Sequence, residues 1–166
     1  MSKILNLIAT LIVVVIVVVC GALVVPKAFG YQMYGILSGS MEPKYPVGSL
    51  IYVEPVEAGE VEVGDVITFK MAADSDVVAT HRVVEKDDTN EAFTTKGDNN
   101  DNIDSSPVSY QRLIGKAVLC IPMLGYIADF IQSSAGMVAG VSAIVLVFVL
   151  WFLADYLKKK EGTATK

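Results

Sequence analysis

The feature that most restricts this chain is the run from Ile4 to Val25, where only Asn6 and Thr10 interrupt an apolar sequence and Leu11 to Val19 is unbroken Leu, Ile and Val. At ~1.5 Å of rise per residue, a helix of that length covers a ~30 Å hydrocarbon core, so the run reads as a transmembrane helix. A cleaved signal peptide would have a shorter apolar core, ~7–15 residues, followed by a small-x-small site. Ala22-Leu23-Val24 and the residues beyond it fit that poorly. Lipoprotein-type attachment at Cys20 wants a small residue just before it, and Val19 is not small. The expectation is an uncleaved anchor.

A second apolar run goes from Met137 to Leu153, preceded by Ser133-Ser134-Ala135-Gly136 and followed by Asp155-Tyr156-Leu157-Lys158-Lys159-Lys160. Trp151 and Tyr156 suit a membrane interface, and the lysine cluster marks a cytoplasmic end. The alternative, a buried core helix, sits badly beside a basic cluster and an apolar first span. Two spans place both termini on one side. The expected layout is an anchor over 1–28, an extracytoplasmic domain over 29–134, a second span over 135–157 and a basic cytoplasmic tail over 158–166, with membrane lipid around the spans of a cell-membrane protein. The 53% hydrophobic content of these 166 residues is too apolar for an ordinary soluble domain. A formal net charge of -5 gives a nucleic-acid partner no electrostatic footprint. Cys20 and Cys120 are far apart, show no metal-ligand spacing and are not expected to form a disulfide.

Between the runs the chain reads as short strands. Ser49 to Glu54 is rich in β-branched and aromatic residues and ends at Pro55; Val61 to Lys70 contains a turn at Gly64-Asp65 and then a strand. Asp76 to Glu85, Glu91 to Lys96 and Leu113 to Ile121 are further strands, the last ending at Pro122. With no strong helical period, this pattern predicts a compact β domain between two transmembrane α-helices: a membrane-anchored, mainly β fold. Met123 to Gln132 reads as a short amphipathic or interfacial helix leading into the second span.

Three stretches of the middle segment carry chemical potential. In Ser38-Gly39-Ser40-Met41-Glu42-Pro43 the glycine permits a tight bend, while Pro43 pushes Glu42 out of the helical region. Such a loop holds a hydroxyl in a fixed position, although by composition alone it is a polar turn. His81 is the chain's one histidine and lies within a strand, so its ring and the Arg82 side chain point to opposite faces. The loop from Gly97 to Asp104 is dense in carboxylates and amides, which by itself fits a solvated turn or an oxygen cluster for calcium. The EF-hand spacing and its closing Glu are missing. Together the stretches supply a serine, a base and an orienting carboxylate, the set that activates a hydroxyl that is otherwise a weak nucleophile. The order Ser, His, Asp differs from those of chymotrypsin, subtilisin and the α/β-hydrolases.

Ser38-Gly39-Ser40-Met41-Glu42-Pro43, Thr80-His81-Arg82-Val83-Val84 and Thr95-Lys96-Gly97-Asp98-Asn99-Asn100, with Asp104 six residues beyond Asp98, resemble the successive signature boxes of signal peptidase I. The similarity is to the branch found in the endoplasmic reticulum, in archaea and in SipW-like enzymes of Gram-positive bacteria. Ile114-Gly115-Lys116 and Ile121-Pro122-Met123-Leu124-Gly125-Tyr126 resemble that branch's closing segment, so the likeness covers most of Tyr34 to Tyr126.

The resemblance implies a membrane-bound serine endopeptidase that removes signal peptides from exported preproteins after small-x-small sites, with no cofactor and no metal. It implies Ser40 as nucleophile and His81 as general base, where the common bacterial branch carries a lysine. Asp104 would orient His81, and Asp98 would shape the loop or share the carboxylate role; sequence does not separate the two. The Ser38 hydroxyl would join the Ser40 backbone N–H as an oxyanion donor. Two other functions compete: a non-catalytic, membrane-tethered β module that binds exported proteins, and a sortase-like transpeptidase using Cys120, His81 and Arg82 or Arg112. The apolar strand around Cys120 suggests a buried, inert thiol.

Overall fold

The computed structural model describes residues 2–163. Its elements are α1 (Ser2–Ala28), β1 (Gln32–Gly35), β2 (Leu50–Glu54), β3 (Val66–Lys70), β4 (Val78–Asp87), β5 (Ala92–Lys96), β6 (Val108–Ser109), β7 (Leu113–Ile121), α2 (Leu124–Gln132) and α3 (Ser134–Thr163). Single 3₁₀ turns occupy Gly39–Met41, Ala58–Glu60 and Tyr110–Arg112. The chain forms two compact units, one made of the residues up to Val25 together with those from Ala128 onward, the other of Pro26–Ile127.

The first unit carries the two long apolar helices. Lys3–Ala28 and Ser134–Lys159 are each 26 residues and contain 18-residue stretches with mean hydropathies of 3.3 and 2.7, long and apolar enough to cross a membrane. A run so rich in Val and Ile is an indifferent helix former in water. Lipid reverses that preference, because only a helix satisfies every backbone group of a lone spanning segment. α1 runs past the apolar stretch and is closed by Gly30, whose φ of +87° is the left-handed conformation a helix stop favours. α3 likewise outruns Leu153 and continues through the lysines, since Ala154, Tyr156, Leu157 and the lysines are all compatible with a helix and no proline intervenes.

The second unit is a seven-stranded sheet in the order β1-β2-β7-β3-β4-β5-β6, with every neighbouring pair antiparallel. The strands expected from Ser49, Val61, Asp76, Glu91 and Leu113 onward are β2, β3, β4, β5 and β7, and α2 begins one residue after the expected Met123. β1 and β6 were not expected; at four and two residues they are too short to show alternation. Two buried clusters form the core. Ile36, Met41, Tyr45, Ile51, Val53 and Val66 make one. Val61, Ile67, Phe69, Val83, Phe93 and Val108 make the other.

Two features of the sheet prepare a site. β3 pairs Ile67 with His81 and Phe69 with Ala79, so His81 stands on the same face of β4 as Val83 and Ala79, and Arg82 on the other. β4 is also half-covered: Val78 to His81 pair with β3, whereas β5 joins only from Arg82 onward. β1, at the sheet's other end, pairs with β2 alone. Both strands therefore present an edge with unpaired backbone groups.

Phe93 is fully buried beside Val83 in the second cluster and stacks on Tyr110 at 4.5 Å between ring centroids. Phe93→Ala is expected to destabilise the Pro26–Ile127 unit by about 3–5 kcal/mol, measured by denaturant unfolding of the detergent-solubilised chain.

Candidate active site

The turn around Ser40 is built by its neighbours. Ser38 is extended at φ -128°, ψ 158°, then Gly39–Met41 make one 3₁₀ turn closed by the Glu42 N–H donating to the Gly39 carbonyl at 3.1 Å. Glu42 returns to extended geometry at ψ 153°, as a residue before proline must. Met41, only 1% exposed, sinks into the first core cluster and anchors the turn.

His81 reaches this turn from β4. Its Nε2 lies 3.2 Å from Ser40 Oγ, and its Nδ1 lies 2.6 Å from Asp104 Oδ2. The same Oδ2 accepts a 2.6 Å hydrogen bond from the Thr95 hydroxyl, and the Asp104 N–H donates to the Thr95 carbonyl at 2.8 Å. Thr95 is fully buried on β5, so Asp104 is tied to a fixed strand at two points. The His81 and Asp104 side chains are 15% and 23% exposed, which removes much of the competing water. An ionised carboxylate only accepts, so against one a neutral imidazole would carry its proton on Nδ1 and present the Nε2 lone pair to Ser40. Phe69 meets the ring edge-on, with centroids 6.3 Å apart.

Asp98 goes elsewhere. It takes the Arg82 guanidinium in a fork, Nε to Oδ1 at 2.7 Å and one terminal nitrogen to Oδ2 at 2.5 Å, while the other terminal nitrogen donates to the Gly64 carbonyl at 2.6 Å. The Asp98 hydrogen bond, against a smaller opposing effect of burial, raises the Arg82 pKa above its ordinary value. The two aspartates that sequence left equivalent are thus divided between the two faces of β4, Asp104 on the histidine and Asp98 on the arginine.

The aspartate loop is also stitched to the serine turn. Asn99 N–H donates to the Ser40 carbonyl at 2.8 Å, Asp98 N–H points at Met41 Sδ at 3.4 Å, and Asn99 Nδ2 donates to the Gly39 carbonyl at 3.2 Å. A Cβ at Gly97 would stand 2.7 Å from the Ser40 carbonyl oxygen, so only glycine admits this approach. Ser38 Oγ lies 3.3 Å from Ser40 Oγ.

Ser40 and His81 open into a groove of about 490 Å³. One wall runs from Tyr34 to Ser38 and the other from Asp76 to Thr80, the two open strand edges, with Ile36, Met41 and Ala79 as apolar lining. Cys120 lies on β7 opposite Ile51 and packs against the first core cluster, while both His81 ring nitrogens are engaged by Ser40 and Asp104. Among the described residues, no three His, Cys, Asp or Glu side chains converge so as to hold a metal ion.

Comparison with known proteins agrees with the motif pattern. Residues 7–87 match the family described as signal peptidase, peptidase S26. The sec11 catalytic subunit of the signal peptidase complex from Dictyostelium discoideum is 32% identical over 126 residues, covering 69% of each chain. The chain belongs to the signal peptidase family. Signal peptidase I W of Bacillus subtilis is 47% identical over 87 residues, 51% of this chain and 45% of that protein. The SEC11C catalytic subunit from Rattus norvegicus is 30% identical over 125 residues, 67% of this chain and 65% of that protein. The chain thus spans about half of the Bacillus signal peptidase and just under two thirds of the rat one.

Within this signal peptidase fold, sequence reasoning missed Thr95, the Arg82–Asp98 fork and the Asn99 contacts. The fork was partly visible in the alternation that sends Arg82 away from His81. Thr95 carried no signal, because a threonine in a strand satisfies β propensity whether or not its hydroxyl has a task.

With a single histidine, selective ¹⁵N labelling of the imidazole reports on this site alone. The wild type is expected to show the Nδ1–H tautomer. Asp104→Ala should shift the population toward Nε2–H, the form preferred by an unrestrained imidazole, and Asp98→Ala should leave the spectrum unchanged.

Proposed function

We propose that this chain is a membrane-bound serine endopeptidase that cleaves signal peptides from exported preproteins. The observation that carries the proposal is the hydrogen-bonded line from Ser40 through His81 to Asp104, set in a groove between two open strand edges. A signal peptide's cleavage region would lie extended between β1 and β4, pairing its backbone with the free edges while alternate side chains enter the groove. Ile36, Met41 and Ala79 give the groove an apolar lining beside Ser40, which suits small apolar residues before the bond, as in an Ala-x-Ala site.

In the proposed mechanism, Nε2 of His81 takes the Ser40 proton as Oγ attacks the carbonyl carbon. Asp104 stabilises the resulting imidazolium, held in place by Thr95. The developing oxyanion is met by the Ser40 backbone N–H and the Ser38 hydroxyl. His81 then passes its proton to the departing amine, releasing the mature protein and leaving the signal peptide as an ester on Ser40. Water, deprotonated by His81, hydrolyses the ester and restores the hydroxyl.

The proposed topology has α1 and α3 crossing the bilayer with the lysines after Tyr156 on the cytoplasmic side and the Pro26–Ile127 unit outside the cytoplasm. Ser40 follows the last residue of α1 by twelve positions. Even a fully extended tether keeps the nucleophile within about 40 Å of the helix end. A membrane-held substrate then meets a membrane-held enzyme at a raised effective concentration.

Co-expression with a preprotein bearing an Ala-x-Ala site tests the proposal. Wild type is expected to release the mature protein and Ser40→Ala to release none. Asp104→Asn should slow processing by ~10³–10⁴, the scale expected when the orienting carboxylate is lost, and Asp98→Asn by less than about tenfold. Full processing by His81→Ala would overturn the histidine-base mechanism.

A further inference from the structure

The oxyanion donors proposed above include the Ser40 N–H, and the direction of that N–H depends on one peptide plane. In a planar trans peptide the Gly39 carbonyl and the Ser40 N–H point in opposite directions, so whatever holds the oxygen aims the proton. The first N–H groups of a 3₁₀ turn find no partner within it, which leaves the Ser40 N–H available to a ligand. Turning this plane over rotates ψ of Gly39 together with φ of Ser40, and Gly39, lacking a Cβ, offers little steric resistance to its share of that rotation. A restraint from outside the turn would hold one orientation more firmly than the turn's own bond from the Glu42 N–H to the Gly39 carbonyl does alone.

We propose that Asn99 is that restraint, a positioning residue that aims the Ser40 N–H into the oxyanion hole. Its Nδ2 donates to the Gly39 carbonyl at 3.2 Å, adding to the 3.1 Å bond from the Glu42 N–H within the turn. Its own backbone N–H donates to the Ser40 carbonyl at 2.8 Å, so one residue grips both ends of the Ser40 main chain. The grip is precise because the Gly97 Cα lies so close to the Ser40 carbonyl that no side chain fits between them. The Asn99 backbone bond survives any side-chain substitution. The amide contact to Gly39 does not, and of the two Asn99 contacts it is the one that bears on the peptide plane in question. Aspartate has the same shape but only acceptor oxygens when ionised, so it would repel the Gly39 carbonyl and favour the flipped plane.

The inference rests on the proposed peptidase activity and predicts a specific kinetic signature. Losing an oxyanion donor outright typically costs ~10²–10³ in kcat, and a donor left free to flip should cost less, about 10–50-fold. Purified full-length wild type, Asn99→Ala and Asn99→Asp would be compared in detergent on a preprotein substrate, with thermal unfolding recorded for each. Inhibition by a peptide aldehyde ending in alanine, whose hemiacetal oxygen occupies the oxyanion hole, supplies a second readout. The expected result is a 10–50-fold fall in kcat for Asn99→Ala and a larger one for Asn99→Asp, with KM within about twofold of wild type. Aldehyde affinity should weaken in parallel with kcat, and the unfolding midpoints should stay close to wild type. Unchanged kcat in either folded variant, or a rise in KM alone, would overturn the inference while leaving the peptidase proposal standing. Absence of cleavage by wild type would instead overturn the peptidase proposal itself.

Discussion

Asp104 Oδ2 accepts hydrogen bonds from both His81 Nδ1 and the Thr95 hydroxyl, each at 2.6 Å, and the whole site hangs on that shared oxygen. Thr95 is fully buried on β5, and Asp104 is held to Thr95 through its backbone as well. The carboxylate therefore sets the histidine rather than the reverse. Once Nδ1 is committed to donating, Nε2 has only its lone pair to offer, and Ser40 is the hydroxyl in front of it. A strand, a loop and a turn distant in sequence thus become one hydrogen-bonded line.

The same loop that delivers Asp104 fastens the Ser40 turn. Gly97, Asp98 and Asn99 meet the backbone of Gly39 and Ser40 and the sulfur of Met41, and Met41 in turn is buried in the core. Arg82 adds a third attachment, since its guanidinium spans Asp98 on the loop and the Gly64 carbonyl before β3. A partly exposed ion pair contributes little to stability by itself. Its geometry is more informative than its energy: a bidentate fork fixes the loop's position on one face of β4 while Asp104 serves the other face.

Much of this was legible in the sequence, for identifiable physical reasons. The apolar runs announce α1 and α3 because lipid imposes length and composition directly. Five strands follow from alternation and β-branched content, and the single histidine narrows any base to one candidate. β1 escaped because Gln32 to Gly35 is too short to show a period, yet it supplies one wall of the groove. α3 continues past the expected span at its C-terminal end because apolarity marks the lipid and not the helix. Asp98 and Asp104 were inseparable because composition carries no information about which face of β4 a loop residue meets; only the tertiary path of the loop decides it. Thr95 and Asn99 act through contacts with backbone or with a partner far along the chain, which leave no local pattern to read.

The central claim is that Ser40 Oγ is the attacking atom and that its oxyanion forms beside Ser38. The most direct measurement is a structure of the full chain with a peptide aldehyde ending in alanine. The account predicts a covalent bond from Ser40 Oγ to the aldehyde carbon, with the hemiacetal oxygen within hydrogen-bond reach of the Ser40 N–H and Ser38 Oγ and the peptide extended between β1 and β4. An adduct on Cys120, or a peptide bound away from Ser40, would contradict it.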